Sequence, residues 1–561
     1  MARILLVEPD NDNKYPPIGL MKIASYHKSK GDIVEFYKGK APYILINKMD
    51  RVYITTLFTF YYHHTIDTII HYSNYINGNK IYIGGIAATL LQHDFFKDTG
   101  LKNVIVGQLT DSSIIGYEDH INIDNLPLDY DILDDISYQY PAGDNFFIYT
   151  TRGCPRACNF CAVSTLEPKF KETNNIIEQI TSIREKYGDK RNILIMDNNI
   201  LYSEKLEDIV TNLISLGFAK ENRTYIKPNS FEIIMGKIRR RQAAGNSWIQ
   251  QEELLCEYLR QFKRKVTAKN TSEQFSDILN EINSADNKYE ILFKYENILI
   301  EIIERYRYKK PLPRYIDFNQ GVDVRLLNKK KMKLLSIISI KPFRLAYDNV
   351  NMTKKYTKAF QMAYDYGIRY FSNYLLYNYK DSPNDLWRRL HKNVQLYKEK
   401  PDIQAFSFPM KYAPIDRCDR NFIGKKWNKK FLSAINVIIN VTRGVVAKEM
   451  DFFYKAYGNS EDEFIKILFM PNEFIKHRLF FEQKGYINLW SKCYNKLNDK
   501  EKCDLALLLS GEQDKNLTIS KNIEKILPFY KITKNAASRN YLNLLNKNVE
   551  LLGNTRLQHG I

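Results

Sequence analysis

Three cysteines fall within eight positions of this 561-residue chain, in the run Thr-Arg-Gly-Cys-Pro-Arg-Ala-Cys-Asn-Phe-Cys at 151–161. Cys154, Cys158 and Cys161 form CxxxCxxC, which puts three thiolates on one tight loop where they can hold three irons of a cubane iron-sulfur cluster. Such clusters usually take four cysteines. No fourth lies nearby, so one iron stays open to bind a substrate, by the logic that leaves a vacant position on catalytic zinc. With seven cysteines in the chain, independent placement would give this spacing in roughly one such sequence in a thousand. Zinc would want a fourth Cys or His at short spacing, and the nearest candidates, His120 and Cys256, are far along the chain. A redox dithiol of Cys158 with Cys161 would leave Cys154 unexplained, and seven cysteines are too few for a disulfide scaffold.

Rigid elements must hold such a loop. A β-rich run at 146–151 leads directly into it, followed by a helical segment at about 172–187, a strand at 192–197 and a helix at about 203–217 that ends at Gly217. The alternation stops over 219–313, which reads as helical throughout with 18 basic and 13 acidic residues. It resumes with strands at 315–320, 343–347, 368–376 and 403–408, giving six strand-helix units, too few for a closed eight-stranded barrel. Ahead of the loop, runs at 2–8, 33–37, 52–57, 80–85 and 103–107 alternate with helical segments, the pattern of a doubly wound parallel sheet. An Asp-rich connector from His120 to Asp135 separates the two alternations, and from about 420 onward the chain is mostly helical. The expected fold class is α/β. It comprises a Rossmann-like front domain at 1–115, a linker at 116–145, a partial (β/α)6 barrel at 146–218 and 314–415, a helical insertion at 219–313 and a helical C-terminal domain at 416–561.

With Phe160 as the aromatic residue before its last cysteine, the loop resembles the CxxxCxφC motif of the radical SAM superfamily, and the resemblance extends over about 146–410. It implies a 4Fe-4S cluster on the three cysteines and S-adenosylmethionine chelated at the open iron through its amino and carboxylate groups. It also implies reductive cleavage to methionine and a 5′-deoxyadenosyl radical that abstracts hydrogen from substrate, with an electron from a reductant such as flavodoxin or ferredoxin. Further cofactor-binding candidates then sit at strand C-terminal ends, where barrel sites gather. Asp197, Asn198 and Asn199 follow Met196 in the place of the short polar motif that takes the amino end of S-adenosylmethionine, a match of position only because Gly-Gly-Glu is absent. Asn319, Gln320, Asp323 and Arg325 follow the third strand, and Arg325 is suited to pair with the methionine carboxylate. Asp348 and Asn378 end the fourth and fifth strands; all of these residue types also cap helices and close turns.

The first 110 residues resemble the cobalamin-binding-like domain that precedes many such barrels, through Pro16-Pro17-Ile18-Gly19-Leu20 and Gly84-Gly85. The cobalt-ligating DxHxxG motif is missing: the loop after the first strand reads Pro9-Asp10-Asn11-Asp12-Asn13-Lys14, and His63 and His64 follow another strand. Cobalamin could then bind only without a protein ligand or not at all, and a degenerate domain without the cofactor is expected. Methyl or methylthio transfer would need cobalamin or a second cluster, and neither has support in the sequence.

Lys plus Arg number 83 against 64 Asp plus Glu, a net charge of +19 that would attract polyanions. The insertion contributes Lys237, Arg239, Arg240, Arg241, Arg260, Lys263, Arg264 and Lys265 with Trp248, Tyr258 and Phe262 between them, a mixture that suits phosphate and base contacts and equally a solvated helical face. No apolar run approaches the roughly 18 residues of a membrane span, and MARILLVEPD lacks the progression of a secretory signal, so a cytoplasmic protein without a membrane partner is expected. The function expected is a radical SAM enzyme acting on an unidentified substrate, a nucleic acid or other anionic molecule being a candidate. The alternative is a non-catalytic basic nucleic-acid-binding protein that keeps the radical SAM fold.

Overall fold

The computed structural model describes residues 1–554 apart from 174, 445, 447, 448, 512–518 and 538. It divides into two units, one of Met1–Val322, Leu326–Pro342 and Ile415–Arg420, the other of Asp323–Arg325, Phe343–Pro414 and Asn421–Ile561.

In the first unit the front of the chain forms β1 (Arg3–Glu8), β2 (Ile33–Lys38), β3 (Arg51–Thr56) and β4 (Ile81–Gly85), all parallel in the order β2-β1-β3-β4. Ile4 to Val7 are buried without alternation, as a strand covered on both faces requires. The run at 103–107 does not become a full strand: Val104 makes a single bridge to Ile83, and Gly107, at φ 76, turns the chain away. Next come β5 (Phe146–Ile148), β6 (Thr151–Arg152), β7 (Lys171–Glu172), β8 (Ile193–Ile195), β9 (Thr224–Tyr225), β10 (Leu312–Pro313) and β11 (Ile316–Phe318). β5, β8 and β11 form a parallel sheet in the order β11-β8-β5, while β6 pairs with β7 and β9 with β10 antiparallel.

The β9–β10 pair corrects the reading of 219–313 as helical throughout, since the insertion begins and ends on this short stem. Above it, helices Ser230–Ala243, Ile249–Phe262, Lys269–Ser284 and Glu296–Tyr306 enclose a core of their own that includes Phe231, Met235, Leu259, Phe275 and Leu299.

The Asp-rich connector is packed rather than free. Asp129 and Asp131 are buried; Asp129 meets Lys28 at 2.9 Å, Asp131 takes Arg240 at 2.7 and 2.9 Å, Asp134 meets Lys237 at 2.9 Å and Asp135 meets Arg241 at 2.6 Å. Arg239 pairs with Glu296. Arg239, Arg240 and Arg241, three of the basic residues that suit a polyanion-binding face, are therefore turned onto the protein's own carboxylates. The reason is physical: a buried carboxylate costs several kcal/mol unless a cation meets it. Lys263, Arg264 and Lys265 remain exposed.

The second unit carries β12 (Phe343–Ala346), β13 (Tyr370–Tyr377) and β14 (Gln404–Lys411), parallel in the order β12-β13-β14. Helix Pro383–Lys398 is started by a capping box in which Ser382 and Asp385 satisfy each other's backbone amides. All six parallel strands expected after residue 145 thus occur, three in each unit. From Lys429 the described elements are all helical; 512–518 and 555–561, part of the expected C-terminal domain, lie outside the described residues. Among the described residues no helix is long and apolar enough to cross a membrane.

Candidate functional site

The three cysteines ride on one excursion of the chain, 153–170, closed at its base by the β6–β7 pair with Thr151 opposite Glu172 and Arg152 opposite Lys171. Gly153 opens it at φ 75, where a Cβ would lie 2.4 Å from the Lys169 carbonyl oxygen and 2.9 Å from that of Glu167. Only glycine lets the returning backbone come so close. The Cys161 amide donates to the Cys158 carbonyl at 2.9 Å, which turns the last two cysteines about each other. All three are half-buried, and among the described residues no disulfide forms.

A charged chain of contacts braces this loop. The Glu167 carboxylate accepts from the Gly153 amide at 2.6 Å and from Asn198 Nδ2 at 2.9 Å, and faces Arg152 Nη2 at 2.9 Å. Arg152 lies over the Tyr149 ring at 3.9 Å and reaches Asp124 at 3.3 Å, which meets Lys22 at 2.9 Å. Burial works to raise the Asp124 carboxyl, but Lys22 and Arg152 beside it outweigh that and hold it below the ordinary range.

At the end of β8 three consecutive side chains turn to the same loop. Asp197 accepts from the Thr150 amide at 2.7 Å, the Thr150 hydroxyl and the Thr151 hydroxyl at 2.8 Å, tying β8 to the root of the excursion; burial pushes its carboxyl up to about 6. Asn198 donates to Glu167, and Asn199 Nδ2 lies 3.6 Å from Cys154 Sγ. The other amide atom of Asn199, Oδ1, is buried with no hydrogen-bond partner.

The remaining candidates are placed differently. Asn319 accepts from the Tyr15 hydroxyl at 2.7 Å, and Gln320 is exposed in the turn that the Gly321 amide closes onto the Phe318 carbonyl. Asp323 and Arg325 belong to the second unit, where Arg325 meets the Asp323 carboxylate at 2.7 and 3.0 Å. Burial raises the Asp348 carboxyl, with Arg325 and Arg389 opposing. Asn378, at φ 68, joins Tyr412, Phe422 and Gly424 through its amide and is a turn residue. Phe160 is half-buried on the cysteine loop. Glu167, Tyr149, Lys22 and Asp124 were not singled out from sequence. Glu167 sits in an unremarkable Thr-Leu-Glu-Pro-Lys segment, and Lys22 lies 102 residues from Asp124; only the richness of the connector in Asp gave a signal.

The donor set fits an iron-sulfur cluster with an amine-bearing ligand. Three thiols stand at ligand spacing, an N–H donor approaches one sulfur as thiolate ligands favour, and the unpartnered Asn199 oxygen beside it would accept from an ammonium group. Among the described residues no three His, Cys, Asp or Glu side chains converge on one point, so what the loop supplies is the spacing of the three cysteines.

A family model described as the radical SAM superfamily matches residues 148–285, a span that begins at the end of β5 and takes in the whole cysteine loop. The chain therefore carries a segment that matches the radical SAM domain. No curated protein matches the sequence. Among solved structures, the radical S-adenosylmethionine methyltransferase TsrM from Kitasatospora setae, with cobalamin and a [4Fe-4S] cluster bound, is similar at 9% identity and a TM-score of 0.42, over 74% of this chain and 77% of that one.

Proposed function

We propose that this protein cleaves S-adenosylmethionine reductively at a 4Fe-4S cluster held by Cys154, Cys158 and Cys161, and directs the resulting 5′-deoxyadenosyl radical to a hydrogen atom of its substrate. One observation carries the reading: three thiols on a loop closed at its base, with the Asn199 amide set against the Cys154 sulfur and an unsatisfied buried oxygen on the same amide. When bound, the cluster supplies the single electron that breaks the sulfonium bond. The chain's own part is to hold and orient. Asn199 Nδ2 stabilises the Cys154 thiolate, Asn199 Oδ1 accepts from the amino group of S-adenosylmethionine, and Asp197 fixes the root of the loop. Phe160, Asn198, Gln320, Asp323 and Arg325 complete the proposed cofactor-binding set.

The same reading takes residues 1–115 as a front domain, 116–145 as its connector, 146–218 with 314–415 as a partial (β/α)6 barrel, 219–313 as an inserted helical domain and 416–561 as a helical C-terminal domain. The protein works in the cytoplasm with a flavodoxin or ferredoxin as reductant. No histidine occupies Pro9 to Lys14, so this reading includes no His–cobalt bond, and cobalamin would bind only without a protein ligand or not at all. The substrate is unidentified; a nucleic acid would have to meet Lys263, Arg264 and Lys265, which are exposed, because Arg239, Arg240 and Arg241 are paired with Glu296, Asp131 and Asp135.

Anaerobic reconstitution followed by dithionite tests the proposal. The wild type should take up a four-iron cluster and accumulate 5′-deoxyadenosine from S-adenosylmethionine, faster when cell extract supplies the substrate, and the variant with Cys154, Cys158 and Cys161 all changed to Ala should do neither. Full iron and sulfide in that variant would overturn the ligand assignment. A tightly bound cluster with no cleavage under any reductant would favour the non-catalytic alternative.

A further inference from the structure

One carboxylate touches the frame of Cys154 at three points. Glu167 Oε2 accepts from the amide of Gly153, the residue before Cys154, at 2.6 Å, and from Nδ2 of Asn198, the residue before the asparagine that approaches the Cys154 sulfur, at 2.9 Å. Its other oxygen faces Arg152, the last residue of β6, at 2.9 Å. Gly153 is held at φ 75 with the Glu167 and Lys169 carbonyls packed against the place a side chain would occupy, so its amide direction and that of Cys154 are set together. The side chain of Glu167 is only 14% exposed, which makes these contacts hard for water to replace.

We propose that Glu167 is the positioning residue of the cysteine loop: it fixes the direction in which Cys154 presents its sulfur and keeps the Asn198–Asn199 pair aligned with it. The inference rests on the reading of the loop as a cluster site, although its geometric half does not. Arg152 carries the same restraint outward, through Asp124 to Lys22 on helix Ile18–Ser29, so the front domain's helix shares in holding the loop. Glu167→Ala leaves the Gly153 amide and one face of Arg152 unmatched. Glu167→Gln keeps an acceptor for Gly153 and Asn198 and replaces the ionic contact to Arg152 with an amide NH2 facing the guanidinium, which retains Asp124.

The test compares wild type, E167A and E167Q in two ways. In reconstituted protein the rate of iron loss to a ferrous chelator is read, with the electron paramagnetic resonance spectrum of the dithionite-reduced cluster before and after S-adenosylmethionine. In protein without iron, amide hydrogen exchange is read over residues 151–172. E167A should lose iron about fivefold faster, the equivalent of one lost hydrogen bond, with a broadened spectrum, while E167Q stays within about twofold of wild type. Protection of 151–172 should fall about tenfold in iron-free E167A and recover in E167Q. Wild-type behaviour of E167A in both arms, or equal damage in E167Q, would overturn the role given to the carboxylate as acceptor. If the wild type takes up no iron, the cluster reading falls by itself. The exchange arm then still decides, with lost protection in E167A supporting Glu167 as the residue that sets the loop and unchanged protection refuting it.

Discussion

Arg240→Met tests whether the basic insertion serves the protein's interior or an external polyanion. Arg240 presents Nε and Nη2 to the two oxygens of Asp131 at 2.7 and 2.9 Å, and donates to the Lys186 carbonyl. The side chains are 22% and 5% exposed, so the carboxylate is the more deeply buried partner. Removing one member of a buried pair typically costs about 3–5 kcal/mol because the other charge is stranded; the partial exposure of Arg240 argues for the lower end, about 3 kcal/mol. At about 2 °C per kcal/mol for a unit of this size, the melting temperature should fall by about 6 °C. Asp131→Leu combined with Arg240→Met should regain most of that loss, since no buried charge is then left alone. Calorimetry of the four proteins of this cycle gives the coupling directly. RNA and DNA affinity at low salt should be the same in wild type and variant. An unchanged melting temperature together with weakened, less salt-dependent RNA binding would refute the reasoning and restore a phosphate-binding face.

Gly153→Ala should cost about 1–2 kcal/mol for the left-handed backbone alone and more for the collision with the Lys169 carbonyl, and should lower iron uptake in parallel; iron analysis after reconstitution checks it. Asp197, raised by burial to about 6 from an ordinary 3.8, binds its proton more tightly folded than unfolded, so its contribution is full below about pH 4 and is lost as pH rises through 6. That difference is worth about 3 kcal/mol, and Asp197→Asn should flatten the corresponding slope in urea midpoints between pH 4 and 7, leaving the part due to Asp135, raised to about 6 by the same cause. Lys430 is buried with its ammonium on the Leu468 and Met470 carbonyls, and burial lowers it to about 7, so stability should climb from pH 7 toward 10; Lys430→Met should remove the climb, and a slope unchanged in the variant would show that other groups produce it.

What could be read without the fold was local. The spacing of Cys154, Cys158 and Cys161, the aromatic Phe160 and the apolar periodicity of six strands are all written within short windows, because ligand spacing and strand alternation are short-range properties of the chain. Asp197, Asn198 and Asn199 were legible as a position at the end of a strand, while their separate tasks were not: one ties Thr150 and Thr151, one meets Glu167, one approaches Cys154. Tertiary structure alone decided those tasks. It also decided that Arg240 faces Asp131, 109 residues away, that the connector is packed, and that Tyr225 pairs with Leu312 to close the insertion. Composition records that a side chain is charged, but whether its charge meets water, a polyanion or the protein's own carboxylate depends on which distant segment folds against it, and burial makes that choice cost several kcal/mol either way.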